Sequence, residues 1–170
     1  MLVLIKGAGD LATGTAVRLY RAGIKVVMTE VAQPTAVRRT VAFSQCMYDG
    51  AAQVEGISAR RAEDAGAARR ALERGEVPVL CDPAAAILGE LPFDGVVDAI
   101  LAKRNLGTAI TDAPVVLALG PGFTAGVDCH GVVETMRGHN LGRLLTRGSA
   151  VPNTGVPGDV GGYTPQRIIR

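Results

Sequence analysis

The chain contains no tryptophan and only three tyrosines and three phenylalanines in 170 residues. It therefore offers no aromatic platform on which successive nucleobases could stack. An excess of charge is missing too: 18 Lys and Arg against 16 Asp and Glu leave a formal +2, too little for the electrostatic footprint of a nucleic-acid binder. The three cysteines, Cys46, Cys81 and Cys129, are odd in number, far apart and without a C-x-x-C pair. That pattern writes neither a disulfide framework nor a zinc knuckle, and it points to a reducing cytoplasm. Cys129-His130 and the isolated His139 lack metal-ligand spacing and read as structural or surface residues. No apolar run approaches the roughly 20 residues of a membrane helix. Leu2–Ile5 leads straight into glycines without a basic leader or cleavage site. A P-loop lysine, an H-E-x-x-H pair and a Ser-His-Asp order are all lacking.

What is present suits a globular domain with a small extension: 48% hydrophobic and 20% charged residues over a length that can bury a core. LVLIK at the start is a continuous apolar run, the signature of a strand buried on both faces. From Asp10 to Ala22 the positions Ala12, Ala16, Leu19 and Tyr20 share one helical face, Arg18 and Arg21 turn away, and Gly23 stands as a stop. KVVMTE then supplies a second strand, so the first thirty residues predict a right-handed β-α-β unit.

Further along, Thr35–Gln45 reads as a short helix and AQVEGISARR as one or two strands. AEDAGAARRALERG reads as a helix with Ala65, Ala68 and Leu72 inward and Gly75 closing it. VPVLCDP, GVVDAILAK and APVVLALG are strand-like, and VVETM with LGRLLTRG reads as a hairpin. The tail SAVPNTGVPGDVGGYTPQRIIR is dense in Gly and Pro and reads as loop or linker. RIIR suggests a strand starting as the chain ends, hence a truncated chain or a missing C-terminal piece. The expected fold is α/β: a Rossmann-like, mostly parallel sheet with helices on both faces over residues 1–126, and a small β-rich extension with a Gly/Pro-rich tail over 127–170.

Two glycine turns carry the candidate chemistry. Gly7-Ala8-Gly9-Asp10-Leu11-Ala12 meets a G-x-G-x-x-A pattern after a strand and before a helix. There the first glycine permits the tight turn and the second lets phosphates approach the backbone. Glu30 ends the second strand about 20 residues on, where an acid binds a ribose hydroxyl and favours NAD over NADP. The competing reading is a tight βα turn with an empty pocket. Asp10 has two uses: its carboxylate suits the positive start of a helix as a cap, or it contacts a metal or a ligand's base or sugar. As a cap it competes with an anion for the helix amides, a conflict that a metal bridge or a base or sugar contact would remove. The second turn, Gly120-Pro121-Gly122, also ends a strand and could face the same cleft, or be an ordinary Pro-Gly turn. Lys103, Arg104 and Asn105 follow another strand and suit an anionic ligand or a solvated basic loop. Arg38 and Arg39 read as a solvated helix face rather than an anion clamp. Cys81, beside Asp82, reads as a buried inert thiol rather than a nucleophile or metal ligand.

Taken together, KGAGDLATG, MTEVAQPTAVRRTVAFS, CMYDG, LAKRNLGT, ALGPGFTAGVD, VVETMRGHNLGR and GSAVPNTGVPG resemble the selenium-dependent molybdenum hydroxylase system protein family. That family is a Rossmann-like relative of the xanthine dehydrogenase accessory proteins. The resemblance covers nearly the whole chain and is specific as a set rather than through any one piece. It implies an accessory role in maturation, with a molybdenum hydroxylase apoenzyme as partner and a chain that continues beyond GYTPQRIIR. The ligand expected between the two glycine turns is NAD or a molybdopterin dinucleotide. Gly7, Gly9, Asp10 and Glu30 would hold one end, and Lys103, Asn105, Gly120, Pro121 and Gly122 the other. The alternative is an NAD-dependent oxidoreductase acting on a small substrate, for which an obvious acid or base is lacking. The expected protein has no metal site of its own, is cytoplasmic and away from membranes, and is open to homo-oligomer formation.

Overall fold

A computed structural model describes residues 1–152. The expected loop after 152 and the strand at RIIR lie outside the described residues. One sheet organises the molecule. Among the described residues its strands are β1 (Leu2–Lys6), β2 (Lys25–Glu30), β3 (Ala51–Val54), β4 (Ile57–Ala62), β5 (Val77–Cys81), β6 (Gly95–Asp98), β7 (Val115–Leu119), β8 (Gly131–Val133) and β9 (Leu144–Leu145). They lie in the order β3-β4-β5-β2-β1-β6-β7-β8-β9. Every pairing from β4 to β8 is parallel, and only the outermost strands β3 and β9 run antiparallel. The fold is α/β and Rossmann-like. β8 and β9 continue the same sheet from β7, so residues 131–145 are part of its edge.

Alternation along the strands explains the two covers. Val3, Ile5, Val26, Met28, Val77, Val79 and Val97 point to one face and meet helix α1 (Asp10–Arg21) through Ala12, Ala16 and Val17. Leu4, Val27, Leu80, Val96, Val116 and Ala118 point to the other and meet α3 (Ala65–Glu73) through Ala65 and Ala68. Small residues on both helices let their backbones lie close to the sheet. Strands covered on both faces become the near-continuous apolar runs seen in the sequence. The Asp64 carboxylate accepts from the Ala67 N–H (2.6 Å) and caps α3.

Two local expectations are corrected. Thr35–Gln45 is not a helix: it holds isolated 3-10 turns at Arg39–Val41 and Phe43–Gln45, followed by the single-turn α2 (Cys46–Asp49). Phe43, Ser44, Cys46 and Met47 are buried there, so the segment is anchored by plugging the α1 face rather than by helical bonding. The strand read through GVVDAILAK stops at Asp98. Leu101 and Lys103 adopt positive φ of 61° and 60°, which turns the chain out of the sheet.

Candidate functional site

From β1 the chain builds toward one edge through β2, then returns to the other side of β1 with β6. The order therefore reverses between β1 and β6, and at such a point the crevice outside the carboxyl ends of the strands collects ligands in open α/β sheets. A cleft of about 310 Å³ lies there, lined by Gly7, Gly9, Asp10, Leu11, Ala12, Glu30, Val31, Pro34, Thr35, Ala36, Ala99, Ile100 and Leu101. Its volume is at the low end for small-molecule sites, room for one nucleoside-sized half of a dinucleotide rather than the whole. A hollow of equal volume, about 310 Å³, sits at the opposite strand ends around Tyr20, Ile24 and Glu76, so position rather than size selects the first.

The turn that forms this cleft is tightly held. The Gly7 N–H donates to the Thr29 carbonyl (2.9 Å), the Ser44 N–H donates to the Ala8 carbonyl (2.8 Å), and the Thr13 hydroxyl donates to the same carbonyl (3.2 Å). Thr13 in turn accepts from the Phe43 N–H (2.9 Å). The two glycines serve different ends. Gly7 has φ +93°, and a Cβ there would lie 3.0 Å from the Ala99 carbonyl oxygen, so the turn itself demands glycine. Gly9, at the N-cap of α1, has an ordinary φ of −65° and nothing within 4 Å of the place a Cβ would occupy. No feature of the fold requires glycine at position 9, and it opens into the cleft.

Glu30 sits at the cleft but is already engaged. Oε2 accepts from the Ala8 N–H (2.9 Å) and Oε1 from the Val31 N–H (2.8 Å). A carboxylate has about four lone-pair sites, so each oxygen keeps acceptor capacity for a sugar hydroxyl. Asp10 is not the cap of α1. The cap is Gly9, which makes no side-chain bond, and Asp10 is the first helical residue. Its carboxylate instead forms an ion pair with Arg38, which the loop after β2 brings to the start of α1. Arg38 is thus no part of a helix face. Arg39 is engaged elsewhere, donating from Nε to Gln45 (2.8 Å) with its guanidinium over the Tyr48 ring.

The other half of the expected set is outside the lining, with the Cβ position of Gly120 3.3 Å from Leu101 of the cleft wall. Lys103, Asn105, Gly120, Pro121 and Gly122 do not line this cleft. Asn105 uses its amide on its own loop: Oδ1 accepts from the Gly107 and Thr108 N–H groups, and Nδ2 donates to the Thr108 carbonyl. Gly122 has φ +106°, and a Cβ would lie 2.5 Å from the Arg104 nitrogen, so this turn needs glycine in order to pack against the Lys103–Arg104 backbone. Gly120 is confined in the same way by Thr135, and Pro121 is buried. Lys103 is exposed.

One cluster was not read from the sequence. At the carboxyl ends of β1 and β6, Lys6 and Asp98 are register partners, and both are buried together with Thr108. Lys6 Nζ donates to Thr108 Oγ1 (2.6 Å), and that hydroxyl donates to Asp98 Oδ2 (2.6 Å). The two charges stand 4.0 Å apart. Asp98 Oδ1 also accepts from the Ile100 N–H (3.2 Å), which fixes the wall that closes the cleft beside Gly7. The only hint in the sequence is a charge ending each of two apolar strands. Glu134 is similar: buried, it accepts from the Met136 and Val151 N–H groups (2.7 and 2.9 Å) and ties the chain after β9 back to the sheet edge.

Of the thiols, Cys46 and Cys129 are buried and Cys81 is exposed, contrary to the expectation of a buried thiol at 81. β5 ends there at the sheet's open carboxyl edge, beside Glu30. Burial pushes the Cys46 thiol up to about 12 and raises that of Cys129 as well, so neither is a nucleophile. Among the described residues, no three His, Cys, Asp or Glu side chains group as metal ligands, and no helix is long and apolar enough to cross a membrane.

The chain is similar to an uncharacterized protein, YqeB, of Escherichia coli strain K12, with 57% identity over 169 residues. The match covers 99% of this chain and 31% of that protein, so the chain spans about a third of the length of the curated relative it matches. No protein-family model matches the chain. No solved structure matches it.

Proposed function

We propose that the cleft at the carboxyl ends of β2, β1 and β6 binds a nucleotide, and that the chain is the Rossmann-like part of an accessory protein for maturation of a molybdenum hydroxylase. The observation that carries the binding reading is Gly9: a glycine the backbone does not need, open toward a cleft at the point where the strand order reverses. A side chain at that position would fill the space in which a ligand approaches the start of α1. Glu30, with spare acceptor capacity beside the loop, suits a ribose hydroxyl and disfavours a 2′-phosphate. NAD or the nucleoside half of a molybdopterin dinucleotide meets both demands, with the rest of the molecule outside the cleft. The maturation role and the hydroxylase partner rest on the family resemblance alone. An oxidoreductase reading gains nothing from the site: the ionisable side chains lining the cleft are Asp10 and Glu30, one paired with a cation and the other holding two amides.

The test is calorimetric titration of the protein and of Gly9→Val with NAD, NADP and a molybdopterin dinucleotide. The expected result is binding of NAD or the molybdopterin dinucleotide in preference to NADP. It should be lost in the variant, with a stability cost of no more than about 1–2 kcal/mol for an unfavourable N-cap residue. Equal binding by the two proteins would reduce the loop to a turn.

A further inference from the structure

We infer that Arg38 is the phosphate-binding cation of this cleft, held in reserve by Asp10, and that the ligand class is a nucleoside carrying a phosphate ester. The inference deepens the nucleotide reading and rests on it.

The cleft has two carboxylates, Asp10 and Glu30, and no cation among its lining residues. The Ala8 N–H, a loop amide placed to meet a phosphate, is spent on Glu30. A phosphate entering such a site meets a net negative wall, with Asp10 immediately beside the free amides of the first turn of α1. The charge balance needs a cation, and the fold supplies one on Asp10, a lining residue. Arg38 lies two residues beyond Ala36, which lines the cleft with Pro34 and Thr35, and its guanidinium is paired with Asp10. The Arg38 side chain is 69% exposed, against 29% for Asp10. It is therefore the more solvated partner, and an exposed pair of this kind is worth little. A phosphate at the start of α1 would take over the guanidinium, whose planar donors can pair with two of its oxygens. Asp10 then acts as a placeholder: it neutralises Arg38 when no phosphate is present and competes with the phosphate when one arrives.

The experiment compares adenosine with AMP, cytidine with CMP and guanosine with GMP by calorimetry on the wild type, Arg38→Ala and Asp10→Asn, at low and at physiological salt. The pair whose nucleoside binds carries the comparison. The wild type should prefer the nucleotide over its nucleoside by about 3- to 10-fold, and more at low salt. Arg38→Ala should abolish that preference and leave nucleoside affinity unchanged. Asp10→Asn should raise the preference about 10-fold further, because the competing charge is gone and Arg38 is released. If the preference survives in Arg38→Ala, or falls in Asp10→Asn, the inference is overturned while the nucleotide reading stands. If the wild type binds no nucleoside and no nucleotide, both fall together.

Discussion

Replacing Lys6 with methionine should be among the more damaging single changes in the molecule, although Lys6 touches neither the surface nor the cleft. The side chain is buried, as are Thr108 and Asp98, and the three form one chain of two 2.6 Å hydrogen bonds across the β1/β6 seam. Methionine keeps the length and apolar stem of lysine, so packing is nearly conserved. What goes is the cation. At the observed 4.0 Å separation, two unit charges interact by about 4 kcal/mol at an effective dielectric near 20. Losing one partner of a buried pair costs about 3–5 kcal/mol, because the other charge stays buried and uncompensated. The contact is bridged by Thr108 rather than forked, which favours the lower end, about 3 kcal/mol.

Urea denaturation followed by circular dichroism measures this directly, as a lowered midpoint at unchanged slope. A second variant separates charge from shape. In Lys6→Met/Asp98→Asn the carboxylate is neutral, so most of the loss should return, leaving about 1 kcal/mol for imperfect hydrogen bonds to Thr108 and Ile100. Should Lys6→Met alone lie within about 0.5 kcal/mol of wild type, or should the double variant be no better than the single, the electrostatic account of the seam is wrong.

The remaining expectations concern other parts of the molecule. Gly122→Ala should cost at least about 2 kcal/mol by thermal melting, since its Cβ would lie 2.5 Å from the Arg104 nitrogen at φ +106°; a neutral result would mean the 103–104 loop yields freely. Thiol labelling at pH 8 should modify Cys81 alone in the native protein and all three cysteines in denaturant, because Cys46 and Cys129 are buried with raised pKa values; labelling of two thiols in the native protein would contradict that burial. Glu76 is held below the usual carboxylate range first by its hydrogen bonds from Arg60, then by Arg74, against an opposing burial effect. Its contribution should be fully present above the unfolded value of about 4.3 and lost as pH falls through the lower folded value. Glu76→Gln should therefore lower the melting temperature at pH 7, with the difference from wild type closing in acid; a pH-independent difference would assign the effect to packing.

Much of the architecture was legible because it rests on local periodicity. LVLIK, KVVMTE and VPVLC are buried on both faces, and such strands announce themselves as apolar runs. The helix over Asp10–Arg21 carries its pattern within its own turns. The segment 35–45 misled because its apolar residues are spaced as if on a helix, whereas Phe43 and Cys46 plug the α1 face from an irregular chain. Long-range partnership was the hidden part. Lys6 and Thr108 are 102 residues apart, and Asp10 meets Arg38 only because the loop after β2 folds back over α1. Side-chain ion pairs of this kind leave no periodic trace, so the seam and the Asp10–Arg38 pair emerge only in three dimensions.

The glycines of the two turns differ in what the backbone asks of them. Both turns follow apolar strands and both read as ligand loops. Yet Gly7, Gly120 and Gly122 are accounted for by positive φ and by neighbours at or inside contact distance. A glycine explained by its own backbone carries no information about a ligand. Gly9 is different: its φ is one any residue adopts, its missing side chain meets nothing, and it faces the cleft. Of the glycines in the two turns, Gly9 is the one on which the proposed nucleotide site rests. The turn after β7 seats the Lys103–Arg104 backbone, and the glycine left without a backbone reason lies on the β2–β1–β6 side of the sheet.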